Sequence, residues 1–90
     1  MGEANGRPNF MYTVYVLKSL KDGNLYVGCS ANLIKRIKSH KKGKVRSTKG
    51  RLPIKLIYTE QYLDKYEAYR RERFYKTAPG KRFLKTRINR

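Results

Sequence analysis

The chain is poor in the residues that build metal clusters and covalent staples. It has one cysteine, Cys29, and one histidine, His40. One of each excludes a four-ligand zinc site and an intrachain disulfide. A reducing, cytoplasmic setting is the simplest expectation. Tryptophan is absent, and only six carboxylates stand against 23 lysines and arginines, a formal net charge of +17. Long apolar runs are missing too. The longest, Met11 to Leu17, is far short of the roughly 20 residues needed to span a bilayer. Met1 to Asn9 is polar and carries no signal-peptide pattern.

What is present points to one small basic domain. A chain of 90 residues buries only roughly 60–65% of its unfolded surface. Its hydrophobic content of 39% still suffices for a compact fold. So positive a field draws polyanions from about a Debye length away. Nucleic acid is the expected partner, since phosphate neutralisation dominates affinity there. An anionic membrane is set aside, because no segment has the broad apolar face of an interfacial helix.

Residues 1–10 are rich in Gly, Asn and Pro and read as a flexible leader, with ordered structure from Met11. Tyr12 to Leu17 is apolar on both faces, which predicts a central strand covered on both sides. Asp22-Gly23 lies between two strand-like runs and predicts a tight hairpin into Leu25–Cys29. Ser30 or Asn32 can cap a helix running to about Lys41, with Leu33, Ile34 and Ile37 on its apolar face. Lys42 to Leu52 reads as a basic loop. Pro53 then opens a third strand, Ile54 to Thr59. Asp64 caps a helix over about Lys65 to Thr77, "APG" stops it, and a last helix runs from Arg82 to about Ile88. The order β-β-α-β-α-α predicts an α+β domain, a three-stranded antiparallel sheet flanked by helices.

Several side chains in this frame have chemistry to offer. A hairpin symmetric about Asp22-Gly23 pairs residues whose numbers sum to about 45, which puts Tyr15 and Tyr26 on one face. They would then sit four residues apart, roughly 13 Å along the strand, and on this pair alone they read as strand tyrosines packed under helices before they read as flanks of a site. On the first helix, Arg36 and His40 are i, i+4 neighbours beside the buried stripe. Such a pair suits a shared phosphate or a proton acceptor, and it also suits a snorkelling arginine beside a half-buried histidine. On the second helix, Glu72 shares the face of Ala68 and Tyr75, the positions expected to be buried. An i, i+4 pair with Lys76 would account for it. A hard cation such as Mg²⁺, held by one carboxylate plus waters and substrate phosphate, would account for its inward direction.

Thr13-Val14-Tyr15, then Tyr26-Val27-Gly28, then Leu33, Arg36 and His40, and finally Glu72 four residues after Ala68, resemble the GIY-YIG nuclease domain. The likeness spans about Met11 to Ile88 and is similar to the small single-domain bacterial branch related to the nuclease domain of the excision-repair excinuclease. Each triplet alone is weak, and the ordered set is specific. Two positions depart from the pattern: Thr13 replaces the first glycine, and Cys29 stands where some members carry lysine.

The resemblance implies that residues 11–90 form a metal-dependent DNA endonuclease of low sequence specificity with Mg²⁺ or Mn²⁺ as cofactor, acting on DNA that can be branched or structured, with RNA left open as a partner. It implies Tyr15 and Tyr26 as groups that position substrate and water or act as general base. It implies Arg36 as the phosphate-binding arginine, His40 as proton acceptor and Glu72 as the metal carboxylate. Gly28 would let a phosphate approach the backbone. Lys41, Lys42, Lys44, Arg46, Lys49 and Arg51 would track the nucleic-acid backbone as positioning contacts. A non-catalytic DNA- or RNA-binding module remains the alternative, as does a protein whose specificity comes from a protein partner.

Overall fold

A computed structural model describes residues 11–89. The expected leader lies outside the described residues. The elements are β1 (Tyr12–Ser19), β2 (Leu25–Ser30), α1 (Leu33–Lys41), α2 (Arg46–Lys49), β3 (Ile54–Tyr62), α3 (Lys65–Tyr75) and α4 (Ala78–Ile88). The sheet is antiparallel in the order β2-β1-β3, so the fold is α+β as expected. The all-apolar run of β1 is explained by its central place. Val14 and Val16 point to one face and pack with Ala68, Tyr75 and Leu84 from α3 and α4. Tyr15 and Leu17 point to the other, against Leu33 and Ile37 of α1. Each fully buried aliphatic side chain contributes about 1.5–3 kcal/mol against chain entropy. Among the described residues, no helix is long and apolar enough to cross a membrane.

The hairpin is wider than Asp-Gly suggested. Tyr15 pairs with Gly28 and Leu17 with Tyr26, so partner numbers sum to 15 + 28 = 43 rather than 45. The loop is held at its base by Ser19, whose hydroxyl accepts from the Lys21 and Asp22 amides at 3.1 and 3.3 Å. Gly23 closes it with φ +78°, the left-handed region that favours glycine. A shift of two keeps each side chain on its face. It brings Tyr15 and Tyr26 to two steps apart, roughly 7 Å along the strand.

Three further boundaries and one helix face differ from expectation. The basic loop contains the one-turn helix α2. β3 runs three residues past Thr59, with a bulge that lets Tyr58 pair with Val16 while Leu56 pairs with Leu17. "APG" begins α4 instead of ending α3: Thr77 caps the helix, and Pro79 sits in its first turn, where a missing N–H costs nothing. A Cβ on Gly80 would collide with the Phe74 carbonyl, so glycine lets α4 turn back tightly onto α3. Finally, Ile34 is 72% exposed. The inward side of α1 belongs to Leu33, Ile37 and His40.

Candidate active site

The site is built around Tyr15. Its partner across the hairpin is Gly28, and a Cβ at Gly28 would overlap the Tyr15 phenol. The missing side chain therefore makes room for the Tyr15 ring. This steric role comes in addition to the expected one, since Gly28 also lines the cleft.

α1 supplies the partners of that phenol. Asn32 caps the helix by accepting from the Lys35 amide at 3.1 Å, which leaves Arg36 and His40 one turn apart on the same side. Arg36 Nε donates to the Tyr15 hydroxyl at 3.2 Å. His40 Nε2 lies 2.9 Å from the same oxygen, and the two rings meet edge to face. His40 Nδ1 lies 2.8 Å from Thr48 Oγ1, on α2. His40 is 3% exposed. Burial, then the nearby Arg36 charge, lowers its pKa below the ordinary 6.5. Both neutral tautomers satisfy these contacts; the one with its proton on Nδ1 donates to Thr48 and leaves Nε2 to accept from Tyr15. The phenol oxygen then accepts from Arg36, which has only donors. Arg36 itself is exposed, so it needs no anion to offset desolvation.

This cluster opens into a cleft of about 690 Å³ that wraps the edge of β2. Tyr15, Tyr26, Gly28, Arg36 and His40 line it from the α1 side, and Glu72, Lys76, Lys81 and Lys85 from the helical layer of α3 and α4. All five residues singled out for catalysis therefore line one cavity, Tyr15, Tyr26, Arg36 and His40 from one face of the sheet and Glu72 from the other. Glu72 is also paired with Lys76 Nζ at 2.9 Å, so its inward direction and its i, i+4 bridge coexist.

The family model of the GIY-YIG catalytic domain matches residues 11–87. The chain belongs to the GIY-YIG family. A UPF0213 protein of Clostridium perfringens is 48% identical over 67 residues, covering 73% of this chain and 71% of its own. One from Staphylococcus haemolyticus is 42% identical over 73 residues, covering 80% and 88%. The solution NMR structure of a UPF0213 protein from Bacillus halodurans superposes with TM-score 0.54 at 35% identity, over 84% of this chain and 83% of that one.

Within this GIY-YIG chain, the basic loop is not where the cleft is. Lys41, Lys42, Lys44, Arg46, Lys49 and Arg51 lie outside the cavity, and from that segment only Ser47 lines it. Arg51 instead pairs with Asp22 at 3.5 Å and accepts the Ser19 hydroxyl on its carbonyl. The cations at the cleft are Arg36 and three lysines that the sequence pattern presents as ordinary basic residues. Lys81 and Lys85 are legible as an i, i+4 pair, but only the early start of α4 brings them to the cavity. Thr48 escapes a reading of the sequence because its segment has the composition of a loop.

Among the described residues, no group of three or more His, Cys, Asp or Glu could hold a metal. Glu72 is the carboxylate lining the cleft. A lone carboxylate in an open, cationic cavity fits Mg²⁺ or Mn²⁺ shared with water and a substrate phosphate, and does not fit an all-protein cage.

A second polar network lies on the opposite face of the sheet. Glu60 on β3 accepts from the hydroxyls of Tyr58 at 2.5 Å and Tyr62 at 2.6 Å, and from Tyr75. Arg71 and Arg87 stand 3.5 and 3.3 Å from its oxygens. Burial raises the Glu60 pKa, but the three phenols and Arg71 outweigh it and hold the group below its ordinary value. The Tyr75 pKa is pushed far up, by burial and then by Glu60.

Proposed function

We propose that this GIY-YIG protein is a divalent-metal-dependent endonuclease that hydrolyses phosphodiester bonds in DNA, with low sequence specificity and a place in DNA repair or processing. The observation that carries the reading is the single cleft shared by the Tyr15–His40–Arg36 network and Glu72. Tyr15 is the phenol best placed to act, because it is hydrogen-bonded to a neutral imidazole. A free phenol, with its pKa near 10, holds its proton at neutral pH. Here the attacking water gives a proton to the Tyr15 oxygen while Tyr15 passes its own to His40 Nε2. The new P–O bond forms as the bond to the leaving 3′-oxygen breaks. Arg36 neutralises charge growing on the phosphoryl oxygens. Tyr26, on the same face, positions the phosphate or water. Glu72 would hold Mg²⁺ or Mn²⁺, which when bound supplies charge stabilisation at a non-bridging oxygen and at the leaving oxygen. Lys81 and Lys85 would hold the flanking phosphates, with the 41–51 loop as an outlying electrostatic guide.

One observation favours a second reading. Lys76 Nζ sits 2.9 Å from Glu72, where it could stand in for a metal and leave a DNA- or RNA-binding module with a vestigial site. A nicking assay on supercoiled plasmid with and without Mg²⁺ separates the two. The enzyme reading expects wild type to nick only with the metal, and Glu72→Ala to bind DNA without cutting it. If both bind and neither cuts, alone or with a partner protein added, the binding-module reading stands.

A further inference from the structure

We propose that the outward face of α3 is a stacking surface for an unpaired nucleic-acid strand entering or leaving the cleft. The inference rests on the reading of the cleft as a nucleic-acid site and adds beside it a surface for a strand whose bases are unpaired. α3 has three of its sides accounted for. Ala68 and Tyr75 are in the core, Arg71 serves the Glu60 network, and Glu72 lines the cleft. The remaining side carries two aromatic rings in water, Tyr66 at 66% and Tyr69 at 43% exposure. Neither the core nor either polar network uses them.

Their surroundings match a polyanion. Lys65 Nζ stands 5.9 Å from the centre of the Tyr66 ring. Arg70 and Arg73 are exposed on the same helix. With Ala68 at zero, a helix places Glu72 at about 40°, Tyr69 at about 100° and Tyr66 at about 160°. Tyr69 thus lies between the cleft carboxylate and Tyr66, and each step along the helix axis is roughly 4.5 Å. The stripe is continuous with the cleft through Glu72 and Lys76, both of which line it. Rings of this kind gain from bases whose faces are free, while the interleaved cations take the phosphates. A duplex hides those faces, so the occupant is a single strand.

The test is fluorescence anisotropy in EDTA, so that nothing is cut, with three labelled probes: a mixed-sequence single strand, a blunt duplex of equal length and a splayed-arm duplex. Tyr66→Ala/Tyr69→Ala is expected to weaken single-strand and splayed-arm binding by about tenfold or more and to leave the blunt duplex within about twofold. Tyr66→Phe/Tyr69→Phe keeps the rings and is expected to bind like wild type. Thermal melts check that both variants fold. No change, or an equal loss on all three probes, overturns the proposal. So does a change in mass by sedimentation velocity with DNA binding intact, which would mark the face as a protein interface. The outcome is independent of catalysis: a protein that never cuts can pass this test, and an active nuclease can fail it.

Discussion

The two tyrosine networks lie on opposite faces of one sheet and both join phenols to arginine, but only one of them is centred on a carboxylate. Around Glu60, three phenols and two arginines converge on a carboxylate, and each of the three hydroxyls finds its acceptor there. Around Tyr15, a phenol, a neutral imidazole and an arginine converge with no carboxylate among the hydrogen-bonded partners. The first network is closed and serves stability. The second has a cation and an open cleft, and the negative charge that would complete it can come from a substrate. Buried polar networks matter in both cases, but only an incomplete one has work left for a ligand.

Substitutions can sharpen or break this contrast. The largest effect is expected at Tyr15→Phe, which removes the atom shared by Arg36 and His40. Single-turnover cleavage should fall about 10²–10⁴-fold, while the ring still fills the space over Gly28. Glu60→Ala should do the reverse. It strands two arginines and three hydroxyls and should cost about 3 kcal/mol in urea melts, with binding and cleavage intact in the folded fraction. Gly28→Ala should cost about 1–3 kcal/mol and slow cleavage as well, because its methyl displaces the Tyr15 phenol. Thr48→Val removes the orienting partner of His40. We expect about 1 kcal/mol of lost stability and roughly a tenfold slower rate at pH 7, with little change in DNA affinity.

The pH dependence should separate the networks too. His40 has a folded pKa below 6.5, so the unfolded chain binds more protons as pH falls beneath that value. Its contribution to stability is present above pH 6.5 and is lost as pH drops through the folded pKa. The acid limb of the rate profile should lie below 6.5 for the same reason. Glu60, held below 4.5, contributes above that pH and loses its contribution only at more acidic values. Urea midpoints measured from pH 7 to pH 3 should fall in these two stages, and Glu60→Gln should flatten the lower one.

Much of this is legible in the sequence, for definite reasons. Arg36, His40 and Glu72 can be placed because helical spacing is rigid, and Tyr15 and Tyr26 because strand alternation survives a register shift of two. The register itself is not legible, since it depends on the Ser19 hydroxyl holding a wider loop. The role of Gly28 needs that register, because only then does Tyr15 lie across from it. Glu60 is out of reach once β3 is ended at Thr59, although Tyr58, Glu60 and Tyr62 alternate on one face. Thr48 lies in a single turn of helix built from Arg, Ser, Thr and Lys, residues that carry no apolar period. Pro79-Gly80 is ambiguous by nature: the pair ends one helix as readily as it begins the next.

The most direct test of the central contrast compares Arg36→Ala with Arg71→Ala in single-turnover cleavage of one duplex with Mg²⁺, beside thermal melts. Arg36→Ala should lose about 10²–10³-fold in rate with little change in melting temperature. Arg71→Ala should melt earlier and cut within a few-fold of wild type. Equal rates for the two variants would contradict the account, since the arginine beside Tyr15 would then serve the fold no differently from its counterpart beside Glu60.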